Sequence, residues 1–183
     1  MTVIYVKTAL IAAVAATLIS FGASSPGIAQ GSGQNSGQNS SKAIPAQCLS
    51  MDISPYSPPE LLSIRHGKAE TRFQVEIANT DETREQGLMC RPELAADRGM
   101  LFEFKDLRER NFWMQNTIVG LDIVYIAQNG SIVSIQKNAK PFDRTPLPSH
   151  GAASGVLEIQ AGLSDKLGLK PGDKVIHPFF HKP

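Results

Sequence analysis

Leu121-Asp122-Ile123-Val124-Tyr125-Ile126, the link Ala127-Gln128-Asn129-Gly130, and Ser131-Ile132-Val133-Ser134-Ile135 form the most decisive stretch of the chain. Both flanking runs are rich in β-branched and apolar residues. Asn-Gly supplies two residues that take positive φ readily, as a tight connection between twisted strands requires. The stretch predicts a β-hairpin, and its surroundings repeat the signal. On the N-terminal side, Phe73, Val75 and Ile77 alternate with Arg72, Gln74 and Glu76, a period-two pattern with one wet face. Leu62 and Ile64 predict a strand before it, joined through His66-Gly67-Lys68. Met100-Leu101-Phe102-Glu103-Phe104 and Asn111-Phe112-Trp113-Met114 add two more. On the C-terminal side come Val156-Leu157-Glu158-Ile159 and a turn at Pro171-Gly172-Asp173 into a last strand over Lys174 to His177. Two short helices are expected. One runs from Asn79, a cap candidate with Glu82 three residues on, to Gln86 before Gly87; the other runs from Gly162 to Leu167 before Gly168. Helices this short do not cover both faces of a parallel sheet. The expected fold is therefore mainly β: a single antiparallel barrel- or sandwich-like domain with one or two short helices.

The domain is expected over residues 60–183, and what precedes it reads differently. Lys7 is followed by the apolar run Ala9 to Ile19 and by small residues ending in Gly27-Ile28-Ala29. That order is the signature of a secretory signal peptide over 1–29, with cleavage after Ala29, or after Gly22 or Ala23 as the alternative. The run is shorter than the roughly 20 apolar residues of a membrane span, and no later run is longer. Residues 30–59 read as a flexible linker: QGSGQNSGQNSS repeats SGQN in tandem, and Pro55, Pro58 and Pro59 continue as extended or irregular chain. An exported, periplasmic or secreted, soluble protein follows. Its 18 basic residues lose Lys7 on cleavage, leaving 17 against 17 acidic ones. A balanced chain has no cationic surface by composition, which argues against nucleic acid as a partner. In an oxidising compartment Cys48 and Cys90 are candidates for a disulfide; two unpaired thiols are the alternative.

Val75-Glu76-Ile77-Ala78 through Gly87-Leu88-Met89, Arg91, and Gly99-Met100-Leu101-Phe102 resemble the front half of one family. Phe112-Trp113-Met114-Gln115-Asn116-Thr117, Leu121-Asp122, Val156-Leu157-Glu158 through Gly168, and Pro171-Gly172-Asp173-Lys174-Val175 resemble its back half. The family is domain of unknown function 192 (DUF-192), a group of bacterial and archaeal proteins that are often exported. The resemblance spans nearly the whole domain. It implies a mainly-β fold of barrel or sandwich type and no established activity. Two positions depart from the family's pattern. Gln115 stands where Lys is usual and Gly120 where Pro is usual, so no role requiring a cation at 115 carries over.

Candidate chemistry centres on the aromatic motif. Trp113 is a candidate pocket floor and Asn116 a directional hydrogen bonder for a small polar ligand. Against this stands the plainer assignment of Trp113 to the core and of Asn116 and Thr117 to a turn. Asp122 and Glu158 each interrupt an apolar strand. Facing inward, either needs a partner, for which Arg91 is the candidate; by period two, Glu158 is instead expected on the solvent face. Met89, Met100 and Met114 suggest a soft metal but fit core positions better, so no metal and no cofactor is expected. Pro178 between His177 and His181 breaks the helix that an i, i+4 metal pair needs, and the two read as a tail. His150, beside Ser149, lies in a Gly/Ala-rich loop without the Gly-x-Ser-x-Gly elbow of hydrolases. The leading expectation is a non-catalytic exported domain that binds a small polar ligand or a protein partner through Trp113, Asn116, Arg91, Asp122, Glu158 and His150. The alternatives are an enzyme of unassigned, hydrolase-like class and a structural or interaction module on a tether.

Overall fold

A computed structural model describes residues 44–181, so the expected signal peptide and the SGQN part of the linker lie outside the described residues. The hairpin that decided the reading is present. Strand β4 (Leu121–Ile126) pairs antiparallel with β5 (Ile132–Ala139). Gly130 sits at φ +82°, and a Cβ there would lie 2.5 Å from the Val175 carbonyl oxygen. Two demands thus fall on one residue: a left-handed backbone and close approach by a second strand.

The remaining strands are β1 (Glu60–His66), β2 (Ala69–Ala78), β3 (Arg98–Phe112), β6 (Leu147–Gln160) and β7 (Lys174–Ile176). Together they make one seven-stranded curled sheet in the order β5-β4-β6-β3-β2-β1-β7. Its two edges meet where Ser131 bridges Lys174, with Val175 N–H donating to the Gly130 carbonyl at 2.8 Å and Ile132 N–H to that of Asp173 at 2.9 Å. The architecture is a half-barrel. It departs from the antiparallel expectation at one seam, because β2 and β3 run parallel from Gln74↔Arg98 to Ala78↔Phe102. A parallel pair needs a crossover, and residues 79–97, which carry helix α1 (Asp81–Gln86), provide it. Alternation of apolar and polar residues carries no information about strand direction, so this seam was invisible to it.

Other boundaries moved for identifiable reasons. Thr80, not Asn79, caps α1: its hydroxyl accepts from Thr83 N–H, and the Thr83 hydroxyl faces the Thr80 backbone in return. The two strands expected over 100–104 and 111–114 are one strand of 15 residues. Its charged middle, Lys105 to Glu109, is exposed, and pairing with β6 shifts register between Glu103 and Arg108. Helix α2 (Leu163–Leu167) ends at Gly168 in the left-handed conformation, as expected. His177 is not in a tail. It is 2% exposed with its Nε2 3.3 Å from a Glu60 oxygen, and Phe180 in the following turn is buried in the core.

Both faces of the sheet are covered. One apolar cluster draws on all seven strands, including Leu62, Phe73, Leu101, Val124, Ile132, Leu157 and Val175, and so fills the inside of the curl. A second lies on the other face of β3, β4 and β6, built from Met100, Phe102, Met114, Ile123, Tyr125 and Val156. With no wet face at the centre of the sheet, β4 is buried at every position, and period two there separates two cores instead of core from water.

Candidate functional site

Strand β6 carries the key residue. Leu157 and Ile159 point into the first cluster and Val156 into the second. Glu158, between them, turns toward the second. Its strand neighbours are Met100 on β3 and Ile123 on β4, both fully buried. Glu158 is 5% exposed, which overturns its expected place on the solvent face. Among the described residues its side chain makes neither a hydrogen bond nor an ion pair. Burial pushes its carboxyl up to about 8 from the usual 4.5, and no neighbouring cation opposes the shift.

The carboxyl lines an open cleft of about 870 Å³ between α1 and its C-terminal turn on one side and β3 with the 113–117 loop on the other. Phe102 and Phe112 form the inner wall, edge to face with centroids 5.0 Å apart, and Phe112 in turn meets Tyr125 at 6.0 Å. The Tyr125 hydroxyl donates to the Leu147 carbonyl, and burial also raises its pKa. Leu88 and Met89 close the side next to α1. Trp113 stands at the mouth, 55% exposed: neither floor nor core.

Helix α1 is held over the cleft by its C-terminal turn. Gly87 follows it at φ +50°, where a Cβ would come within 3.1 Å of the Phe102 ring. Arg84 donates to the Glu103 carbonyl at 2.9 Å, pairs with Asp81 at 2.5 Å, and lies over the Phe104 ring. Arg110 takes the same ring at 3.9 Å and is bound to Asp106 and to the Ala153 carbonyl. Phe104 is thus held by two guanidiniums that are both committed elsewhere.

The other expected site residues go to different places. Arg91 pairs with Glu76 at 3.0 Å, donates to the Ser54 carbonyl and lies over Tyr56; it meets neither Asp122 nor Glu158. Asp122 is fully buried and saturated, accepting from Asn138 N–H, Gly162 N–H, Ser164 N–H and the Ser164 hydroxyl at 2.6–3.0 Å, so it anchors the start of α2. Asn116 has φ +55°, and its side chain accepts from Gln47 and faces Met89 sulfur. This is the turn role weighed for it. His150 is exposed on β6 and does not line the cleft, and Ser149 Oγ is occupied with Arg110 N–H and the Gly151 carbonyl. Cys48 and Cys90 form a disulfide. It fixes residues 44–59 beside the cleft wall, where Tyr56 hydroxyl donates to the Gly87 carbonyl and Gln86 to that of Asp52.

Residues 62–177 match the family domain of unknown function 192, described as "Uncharacterized ACR". The chain belongs to that family. Within the DUF-192 fold, similar crystal structures include a Sinorhizobium meliloti 1021 protein described as a "putative transcription regulator". It is 35% identical, with a TM-score of 0.65, over 68% of this chain and 97% of that one. A protein of unknown function from Novosphingobium aromaticivorans DSM 12444 is 33% identical with a TM-score of 0.63, over 70% of this chain and 99% of the other. Comparison with curated proteins gives no match.

Sequence reasoning found the aromatic motif and named Glu158 but missed Leu88, Met89, Phe102 and Phe112 as lining residues. The available signal was an acid inside Val156-Leu157-Glu158-Ile159, a strand apolar enough to sit mid-sheet. Among the described residues no three His, Cys, Asp or Glu side chains are grouped to hold a metal, and no helix is long and apolar enough to cross a membrane.

Proposed function

We propose that this DUF-192 protein is an exported domain that binds a small molecule in the cleft over Glu158. One observation carries the reading. A buried carboxyl with no side-chain partner among the described residues lines a solvent-open cleft in which Phe102, Phe104, Phe112 and Trp113 stand among mostly polar and charged residues. Burying an ionisable group without a partner costs stability, and groups perturbed in this way cluster at functional sites. Small-molecule sites combine aromatic and apolar surface with polar groups that fix the ligand's orientation, and this cleft offers both. Export is supported by the signal-like N-terminus and by the disulfide, a bond that persists in oxidising compartments.

An acid with a raised pKa is also what general acid catalysis uses. Ser149 and His150, the residues expected for hydrolase-like chemistry, lie outside the cleft lining. The regulator description belongs to the Sinorhizobium relative, and the balanced charge of the chain lends nucleic-acid binding no support.

The test is a thermal-shift screen of the full chain against pooled amines, amino acids, sugars and carboxylates. At least one pool is expected to raise the melting temperature, with the gain lost in Glu158→Gln and kept in His150→Ala. Absence of any shift, or a shift that Glu158→Gln leaves intact, overturns the reading.

A further inference from the structure

We propose that the ligand class of this cleft is a small organic cation, an amine or quaternary ammonium compound, whose charge pairs with Glu158 while its carbon framework packs on Phe102, Phe112 and Trp113. The inference rests on the ligand-binding reading above and adds the sign of the ligand's charge.

Three observations lead to it. First, the cleft lining holds a buried carboxyl, Glu158, with no ion-pair partner, and the arginines around it are engaged. Arg91 is held by Glu76, Arg84 by Asp81, and both Arg108 and Arg110 by Asp106. Lys105, the lining lysine, is exposed and makes no ion pair with Glu158, so the charge that pairs with an ionised Glu158 comes with the ligand. Second, Phe102, Phe104, Phe112 and Trp113 stand in the lining, and the negative faces of such rings attract cations. Third, the α1 side of the mouth carries Asp81, Glu82 and Glu85, of which only Asp81 is in an ion pair. Across from them Lys105 is exposed and Arg108 is paired with Asp106. An anionic ligand would meet these acids at the mouth.

The proton balance follows from the chemistry. Below pH 8 the free protein holds Glu158 largely as the neutral acid. Binding a permanent cation converts it to carboxylate, and its proton goes to the buffer. The titratable groups facing it are few: Tyr125 from β4, whose hydroxyl is bound to Leu147, and the mouth residues of α1 and β3 already named. Its direct strand neighbours, Met100 and Ile123, do not titrate.

The experiment is calorimetric titration of the full chain from pH 6 to pH 9. The probes are choline, n-butylammonium, the neutral choline isostere 3,3-dimethyl-1-butanol, and butyrate. Choline and butylammonium are expected to bind roughly tenfold tighter per pH unit up to about pH 8 and to level off above it. Proton release should be read from buffers of different ionisation heat. Glu158→Gln should weaken choline at least tenfold at pH 8.5 and abolish the pH dependence. Trp113→Ala, at an exposed position, should weaken it severalfold with an unchanged far-ultraviolet spectrum. If the neutral isostere binds as tightly as choline at pH 8.5, the cation inference is overturned and the binding reading stands. It is equally overturned if a screened pool that lacks amines binds while both ammonium probes fail. Silence from every probe and every pool removes both.

Discussion

Glu158 should impose a pH dependence on stability that an isosteric neutral residue lacks. Its folded pKa lies above the unfolded value, so the native state holds the proton more tightly and the linkage is opposite in sign to that of a salt-bridged carboxylate. Its contribution is fully present below the unfolded value of 4.5 and is lost as pH rises to about 8. At about 1.4 kcal/mol per pKa unit, the whole span amounts to roughly 5 kcal/mol. The perturbation is Glu158→Gln, which keeps shape and removes the charge. Urea unfolding of both proteins at half-unit intervals from pH 4 to pH 9 measures the difference. Near pH 4.5 the two should agree within about 1 kcal/mol; by pH 8.5 the variant should be the more stable by several kcal/mol. Asp52, Glu82, Asp106 and Asp143, whose pKa values are lowered chiefly by hydrogen bonds, act in the other direction at acid pH. They are common to both proteins and cancel in the difference. A stability difference that stays flat within about 0.5 kcal/mol across the range would refute the claim that Glu158 is buried without a counter-charge.

Three further outcomes follow from residues away from Glu158. Cys48→Ala/Cys90→Ala, closing no loop across the 42-residue separation, should lose about 4 kcal/mol of stability by chain-entropy reasoning, measured by urea unfolding against the oxidised parent. Hydrogen exchange should also rise over residues 46–57; equal protection in both proteins would show that the bond does not hold that segment. Asp122→Ala strands three backbone N–H donors, Asn138, Gly162 and Ser164, and should cost at least about 3 kcal/mol in thermal or urea unfolding. The same variant at temperatures where it stays folded should bind cleft ligands normally, and weakened binding would return Asp122 to the site. Gly130→Ala should destabilise by about 2 kcal/mol or more, since its Cβ would collide with the Val175 carbonyl at a backbone angle that disfavours side chains. A melting temperature within one degree of the parent would contradict the edge contact that closes the curl.

The parts of the fold legible in the sequence are those fixed by short-range chemistry. Asn129-Gly130 announced its hairpin and Gly67 its turn, while Gly168 ended a helix where only a left-handed residue fits. What stayed hidden depends on which surfaces meet. The β2–β3 pair is parallel because α1 crosses between them, and nothing in Phe73-Gln74-Val75 records the direction of the next strand. Lys105 to Glu109 separates two expected strands because it is charged, yet β3 continues through it, and past a register shift Arg108 and Glu109 pair with β6. The treatment of the two acids shows the same limit more sharply. Asp122 and Glu158 look alike on the page, each an acid inside an apolar run, and their side chains fall on opposite faces of one sheet. Asp122 meets the turn before α2, whose free N–H groups make it a structural anchor. Glu158 meets aromatic rings and open space. The difference between a locked carboxylate and an unpartnered one is therefore written in the crossover and loop that cover the sheet's second face. A residue's chemistry can be read locally, but its counter-charge is a tertiary fact, and for Glu158 the described part of the molecule does not supply one.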